Sequence, residues 1–279
     1  MQKRLTAHSR RQIEALLGLV AEAPQSLLML DYDGTLAPFR TNPEQAVPYP
    51  GIAPLLEEIM QAGRTRVVII SGRDARDVVS LLKVDPHPEI WGFHGLQRLK
   101  IDGTIELAPL DESTIQALAA AEDWLRAQHL EGTAEFKAGS IAVHWRGLSE
   151  PDSESIQERV LQGWTLITKN THLRLLKFDG GLEIRAPHNH KGDAVRTMIS
   201  EMPAGAPTAY LGDDNTDEEA FRELNGQGLS ILVRARWRVT AAQVWLAPPD
   251  ELLDFLNQWL QAVRQRDALG ADTHVGANL

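Results

Sequence analysis

The sequence predicts an α/β fold, a core built around a parallel sheet with an α+β segment inserted into it. Short aliphatic runs, LLML (27–30), VVII (67–70) and TAYL (208–211), each end in a polar or glycine-containing turn. A stretch of helical character follows each turn or closely succeeds it, in PGIAPLLEEIMQAG, RDARDVVSLLKV and TDEEAFRELNGQG. Strands and helices alternating at this length form right-handed βαβ units, whose sheets carry their chemistry at the carboxyl ends of the strands. Asp31, Asp33, Ser71 and Asp213 all stand at such ends.

Along the chain, MQKRLTAHSRRQIEALLGLVAEAP reads as an exposed amphipathic helix with Ile13, Leu16, Leu17 and Val20 on one face. Glu14 and Glu22 interrupt any signal-peptide core. After the first two strand–helix pairs, KIDGTIEL (100–107) has the pattern of a hairpin around Asp102-Gly103. DESTIQALAAAEDWLRAQ (111–128) is a helix opening on a capping pattern, and EFKAGSIAVHWR (135–146) alternates like a strand. A helix around 154–164 leads into paired strands around Gly180-Gly181 in LRLLKFDGGLEIRAP (173–187). The expected division is an N-terminal helical extension over 1–25, a core of 26–104 and 183–262, an insertion over 105–182, and a loose tail over 263–279.

A chain of 279 residues can bury a large core, and its hydrophobic fraction of 43% and charged fraction of 24% are those of an ordinary globular protein. The apolar runs fall far short of the roughly 20 residues that a membrane span needs. With no cysteine there is neither a disulfide framework nor thiolate chemistry, which is compatible with the expected cytoplasmic location. A net charge of -10 argues against nonspecific contact with nucleic acid or anionic lipid, although a local pocket can oppose the global sign. The expected partner is a small molecule, and the expected state a monomer.

Asp31 and Asp33 are two residues apart, so in extended backbone their side chains emerge on one side. Carboxylates about 4 Å apart repel by about 1 kcal/mol in water and several times that near a protein surface. A cation or a shared proton relieves this; a turn using the aspartates as local acceptors is the plainer alternative. In GDDNTDEEAF (212–221), Asp213, Asn215 and Asp217 imitate the start of a calcium loop, but Glu218 stands where the turn needs glycine and Leu224 where it needs glutamate. Capping of the following helix needs only one of its acids. Together the two clusters suit Mg²⁺, which takes a few carboxylates with water and substrate phosphate. In IISGR the Ser71 hydroxyl and neighbouring backbone N–H groups could hold phosphate oxygens, and Lys191-Gly192 places an ammonium at a helix start, where anions are favoured. No P-loop pattern is present.

In this order DYDGT, the apolar run ending in SGR, the Lys-Gly helix start and GDDNTDEEAF resemble the haloacid dehalogenase-like phosphohydrolases. LDYDGTL with Pro38, GFHGL (92–96), Glu135-x-Lys137 followed by VHWR, and LEIR before Lys191 narrow the resemblance to the trehalose-6-phosphate phosphatase family, over about residues 26–260. It implies a Rossmann-like core with an inserted α/β cap of the C2 type, and Mg²⁺ as cofactor. It implies Asp31 as nucleophile and Asp33 as general acid and base. Asp31, the backbone carbonyl of Asp33 and Asp213 would be the metal ligands, with Asp214 and Asp217 supporting them. Ser71 and Lys191 would position phosphate beside Gly72 and Arg73. Glu135, Lys137 and Glu183 would hydrogen-bond a disaccharide, with His94 and Arg146 as further contacts. An isolated histidine such as His94 is more often structural, and Arg146 and Arg185 could simply be paired with acids. Two places depart from the family pattern: Trp145 stands where tyrosine is common, and RAPHNH precedes Lys191 where a lysine-proline and a glycine are common. The implied reaction is hydrolysis of trehalose 6-phosphate. The alternatives are another phosphosugar, such as sucrose phosphate or a glycosyl-phosphoglycerate, and a catalytically silent binding subunit.

Overall fold

The computed structural model describes residues 5–273 other than Thr41, Asp179, His188 and Asn189, with side chains up to residue 265. The chain opens with helix α1 (Ala7–Glu22), then β1 (Ser26–Leu30), α2 (Ile52–Gln61), β2 (Thr65–Ile70), α3 (Ala75–Leu82), β3 (Glu89–Gly92), β4 (Gln97–Leu99) and β5 (Ile105–Leu107). The middle contains α4 (Glu112–Ala127), β6 (Ala134–Lys137), β7 (Ser140–His144), α5 (Glu150–Lys169), β8 (Arg174–Phe178) and β9 (Gly181–Arg185). It closes with α6 (Lys191–Ser200), β10 (Thr208–Gly212), α7 (Glu218–Glu223), β11 (Leu229–Val233), β12 (Val244–Leu246) and α8 (Asp250–Thr273). Two compact units result, one comprising residues up to Ile105 and from Lys191 onward, the other Glu106–His190.

In the larger unit the strand order is β12-β11-β10-β1-β2-β3-β4, with β5 at the far edge. The pairings from β12 to β3 are parallel and that of β3 with β4 is antiparallel. Every residue of β1 is buried, as a strand covered on both faces requires. Leu28 and Leu30 pack into one cluster with α1, α2 and α8, while Leu27 and Met29 pack into another with α6 and α7. The strand's period of two thus divides its side chains between two helical layers. Asp31 and Asp213 leave neighbouring strands of this sheet at their carboxyl ends.

The N-terminal helix is corrected from an exposed extension to part of the core. Ile13, Leu16 and Val20 are buried and α1 packs on α8. The Arg64 guanidinium donates to the Ala23 carbonyl at the end of α1 and, at 2.7 Å, to that of Val263 in α8. The expected tail boundary likewise falls inside a helix: α8 runs to Thr273, and Val263 is buried. Among the described residues no helix is long and apolar enough to cross a membrane.

The smaller unit has a four-stranded antiparallel sheet in the order β6-β7-β9-β8. The segment 135–146 is therefore two strands joined by a tight turn rather than one. A boundary at 182 would cut β9, whose five residues pair with β7 and β8, so the C-terminal limit of this unit moves to His190. Ile141, Val143, Leu182 and Ile184 form a core with α4 and α5. The helices meet closely at Gly163, where a Cβ would lie 2.1 Å from the Trp124 ring. By alternation Glu135, Lys137, Ser140, His144 and Glu183 occupy the opposite face.

Candidate active site

Asp31 extends β1 by one residue, its N–H donating to the Leu211 carbonyl at 2.8 Å. The chain then turns tightly, because the Tyr32 carbonyl accepts from the N–H groups of Leu36 and Ala37 at 2.9 and 3.0 Å. Gly34, at φ +87°, makes this turn without the strain an L side chain would meet. Tyr32 points into the core and donates its hydroxyl to the Ala46 carbonyl at 2.8 Å.

The Asp31 carboxylate accepts from Thr35 Oγ1 at 2.9 Å and from Lys191 Nζ at 2.5 Å. Lys191, first residue of α6, also donates to Asp217 Oδ1 at 2.8 Å, and the Tyr210 hydroxyl donates to that same oxygen at 2.5 Å. The other Asp217 oxygen receives the N–H groups of Asp213 and Asp214, both at 2.9 Å, which orders the turn after β10. Asp31, Asp213 and Asp217 are buried, and each offers an oxygen within 4.8 Å of the others'.

Three carboxylates face one ammonium here. Burial is the main force pushing Asp31 up to about 7, which Lys191 opposes and Asp217 reinforces. Burial and then the Asp31 and Asp217 charges also raise Asp213 well above its ordinary value. Burial disfavours the Lys191 charge, but Asp217 and Asp31 overcome it and hold the ammonium protonated. A close set of buried carboxylate oxygens with uncompensated charge fits a divalent cation.

Asp33 has different surroundings. Arg73 grips its carboxylate with Nε at 2.5 Å and Nη2 at 2.6 Å, and the guanidinium carbon lies 5.8 Å from the centre of the Tyr32 ring. Ser71 is buried just beyond β2; its Oγ accepts from the Arg73 N–H at 3.2 Å and its carbonyl from the His94 N–H at 2.8 Å. The His94 imidazole packs on Gly72, where a Cβ would lie 2.7 Å from the ring. The larger unit thus brings Asp31, Lys191, Asp213 and Asp217 together, with Asp33 and Arg73 forming a separate pair.

In the smaller unit, Glu135 pairs across the sheet with Ala142, and Ala142 with Glu183, which puts both glutamates in one cross-strand row. Glu135 Oε2 lies 3.1 Å from His144 Nε2 and 3.3 Å from Lys137 Nζ. The hydrogen bond with His144 is the largest influence on the Glu135 carboxyl, which is held down at about 2 despite partial burial. Glu183 accepts from Ser140 Oγ at 2.7 Å, and Arg146 lies against Gly180. His188 and Asn189, the centre of the departure before Lys191, lie outside the described residues.

Sequence reasoning missed Thr35, Tyr210, His144, Arg234 and Arg238. Thr35 and His144 stood inside the quoted motifs and could have been found there. Tyr210 reads as a strand residue, and the arginines reach Asp213 across 21 and 25 positions, where no local spacing marks them.

The sequence profile of the trehalose-phosphatase family matches residues 29–243. The trehalose-6-phosphate phosphatase of Escherichia coli strain K12 is 27% identical over 247 residues, covering 85% of this chain and 88% of that protein. The trehalose-phosphate phosphatase of Mycobacterium leprae is 31% identical over 264 residues, and the match takes in 87% of this chain but only 59% of that longer protein. Among solved structures, the C-terminal domain of Candida albicans trehalose-6-phosphate phosphatase superposes with a TM-score of 0.74 at 21% identity, covering 89% of this chain and 96% of that one. A haloacid dehalogenase-like hydrolase from Bacteroides thetaiotaomicron, 11% identical, shares the fold at a TM-score of 0.60 over 84% of this chain and 99% of its own. With a match that starts within β1 and continues to the foot of β12, this chain belongs to the trehalose-phosphatase family and has the fold of the haloacid dehalogenase-like hydrolases.

Proposed function

We propose that this chain is a Mg²⁺-dependent phosphatase that hydrolyses trehalose 6-phosphate to trehalose and phosphate. The observation that carries the reading is the buried Asp31 carboxylate, held by Lys191 beside Asp213 and Asp217 in a chain of this family. In the first step an Asp31 oxygen forms a bond to phosphorus as the bond from phosphorus to the sugar oxygen breaks, and Asp33 gives that oxygen its proton. In the second, Asp33 takes a proton from water, whose oxygen bonds to phosphorus while the Asp31–phosphorus bond breaks, restoring both acids. Lys191 and Ser71 hold phosphate oxygens during both steps. Arg73, paired with Asp33, keeps that carboxylate aimed and adds positive charge where the phosphosugar binds. Mg²⁺ held by Asp31, the Asp33 carbonyl and Asp213, with Asp214 and Asp217 in support, would supply the charge neutralisation that lets a carboxylate approach a phosphate. We assign residues 106–190 as the cap domain and the remaining strands and helices as the core domain, with Glu135, Lys137 and Glu183 binding the disaccharide hydroxyls.

Phosphate release from a panel containing trehalose 6-phosphate, sucrose phosphate and a glycosyl-phosphoglycerate, with Mg²⁺ and with EDTA, tests this. Trehalose 6-phosphate should give the highest kcat/KM, EDTA should abolish turnover, and Asp31→Asn should lower kcat by roughly 10⁴-fold or more while remaining folded. A better turnover of another phosphosugar would correct the substrate. Normal turnover by Asp31→Asn would refute the mechanism, and no hydrolysis of any substrate would favour a silent binding subunit.

A further inference from the structure

The segment 234–241 follows β11 and carries two arginines that neither the composition nor the family motifs single out. The turn after β10 must present the Asp213 carboxylate, and the backbones of Asp213 and Asp214 are gripped at both their N–H and their carbonyl groups. Their N–H groups, at Asp213 and Asp214, point to Asp217. Their carbonyls point to the arginines: Arg238 Nε lies 3.2 Å from the Asp213 oxygen and Arg238 Nη2 lies 2.7 Å from that of Asp214. Arg238 is itself anchored, its Nη1 donating to Glu218 Oε1 at 2.6 Å, and Glu218 Oε2 receives the Ala241 N–H at 2.8 Å. One guanidinium, mostly buried, thus ties the acidic turn, the first residue of α7 and its own loop together.

Arg234 is arranged differently. It donates to the same Asp213 carbonyl at 3.1 Å, but its Nη1 also stands 3.7 Å from Asp213 Oδ2 and 3.8 Å from Asp214 Oδ1, and it is more exposed. Its charge competes with a cation for the Asp213 carboxylate, whereas Arg238 makes its contacts here through carbonyls and orients without competing.

We propose that Arg238 is a positioning residue for divalent-cation binding, acting through the backbone carbonyls of Asp213 and Asp214. This rests on the metal-dependent reading above. A purely electrostatic role predicts the opposite sign, since removing a positive charge beside an acidic cluster tightens cation binding. Outer partners of this kind commonly govern 10- to 100-fold in metal affinity.

The test is calorimetric titration of the full chain with Mg²⁺, repeated with Arg238→Gln, Arg238→Lys, Arg234→Gln and Asp213→Asn. Arg238→Gln should weaken Mg²⁺ about 10-fold, Arg238→Lys should recover part of that loss, and Arg234→Gln should bind as tightly as the wild type or tighter. In phosphate release, the Mg²⁺ concentration giving half-maximal rate should rise for Arg238→Gln while kcat at saturating Mg²⁺ stays within about threefold of wild type. Unchanged or tighter Mg²⁺ binding by Arg238→Gln overturns the proposal, as does a loss of kcat that no Mg²⁺ concentration restores. If Arg238→Gln does not fold, Arg238→Lys decides: an affinity equal to that of the wild type overturns the proposal, and a severalfold loss supports it. A wild-type chain that binds no Mg²⁺ refutes the metal-dependent reading itself, whereas wild-type binding that Asp213→Asn abolishes and Arg238→Gln leaves intact refutes only the role of Arg238.

Discussion

Gly34 shows how narrowly the site depends on single residues. Its φ of +87° belongs to the left-handed region, and a Cβ built there would lie 2.3 Å from Asp213 Oδ2 and 2.7 Å from the Phe39 ring. Gly34→Ala therefore meets two penalties, a strained backbone worth about 1–2 kcal/mol and a collision with a proposed metal ligand. We expect phosphatase kcat/KM to fall at least about 100-fold while the melting transition stays cooperative; a variant with wild-type turnover would show that Asp213 need not stay where it stands. The glycine after DYD was legible as a turn, but the expectation of extended backbone through Asp33 was not met, since the chain turns directly after Asp31. The separate surroundings of the two acids were not legible, because Arg73 and Lys191 come from distant parts of the chain.

At the scale of elements, an ion-pair network fixes the far end of the helix that supplies Lys191. Glu201, just beyond α6, accepts from Arg98 of β4 at 2.7 and 2.8 Å and from Arg66 of β2 at 2.8 Å. Both arginines also bind the buried Glu89 of β3, each at 2.6 Å. Arg98 and then Arg66 hold the Glu201 carboxyl at about 2, against an ordinary 4.5. A depressed folded-state pKa contributes stability above the unfolded value and loses it as pH falls toward the folded one. Because a third of the Glu201 side chain is exposed, screening limits the contribution to about 1 kcal/mol. Glu201→Gln should thus be less stable than the wild type at pH 7 by about that amount in urea unfolding, with the difference shrinking between pH 4.5 and 2. A difference that grows in acid would contradict this linkage. The helices and strands themselves were largely readable from periodicity, but α1 was misjudged as exposed and the expected boundaries at 182 and 262 fell inside β9 and α8. Amphipathic spacing shows that a helix has a face to bury, not which neighbour will cover it.

For the whole molecule, the chain divides into a unit that gathers acids at strand ends and a unit whose sheet has one apolar and one charged face. The proposed division of labour can be tested by comparing substrates. Lys137→Ala should lower kcat/KM for trehalose 6-phosphate at least about 10-fold while changing that for a small aryl phosphate less than about threefold, since the latter has no sugar to grip. Equal losses on both would take Lys137 out of specificity.

By itself the sequence determined the fold class, the parallel core and its insertion, the acids at the strand ends and the family, because strand burial, turn chemistry and motif spacing are all local patterns. Only the tertiary structure decided that Lys191 and Tyr210 share one Asp217 oxygen beside Asp31, that Asp33 pairs with Arg73, and that Arg238 clamps the Asp213 turn. Those outcomes depend on contacts that span up to 186 residues between Asp31 and Asp217, and the packing of the sheet, not any repeat in the chain, brings such residues together.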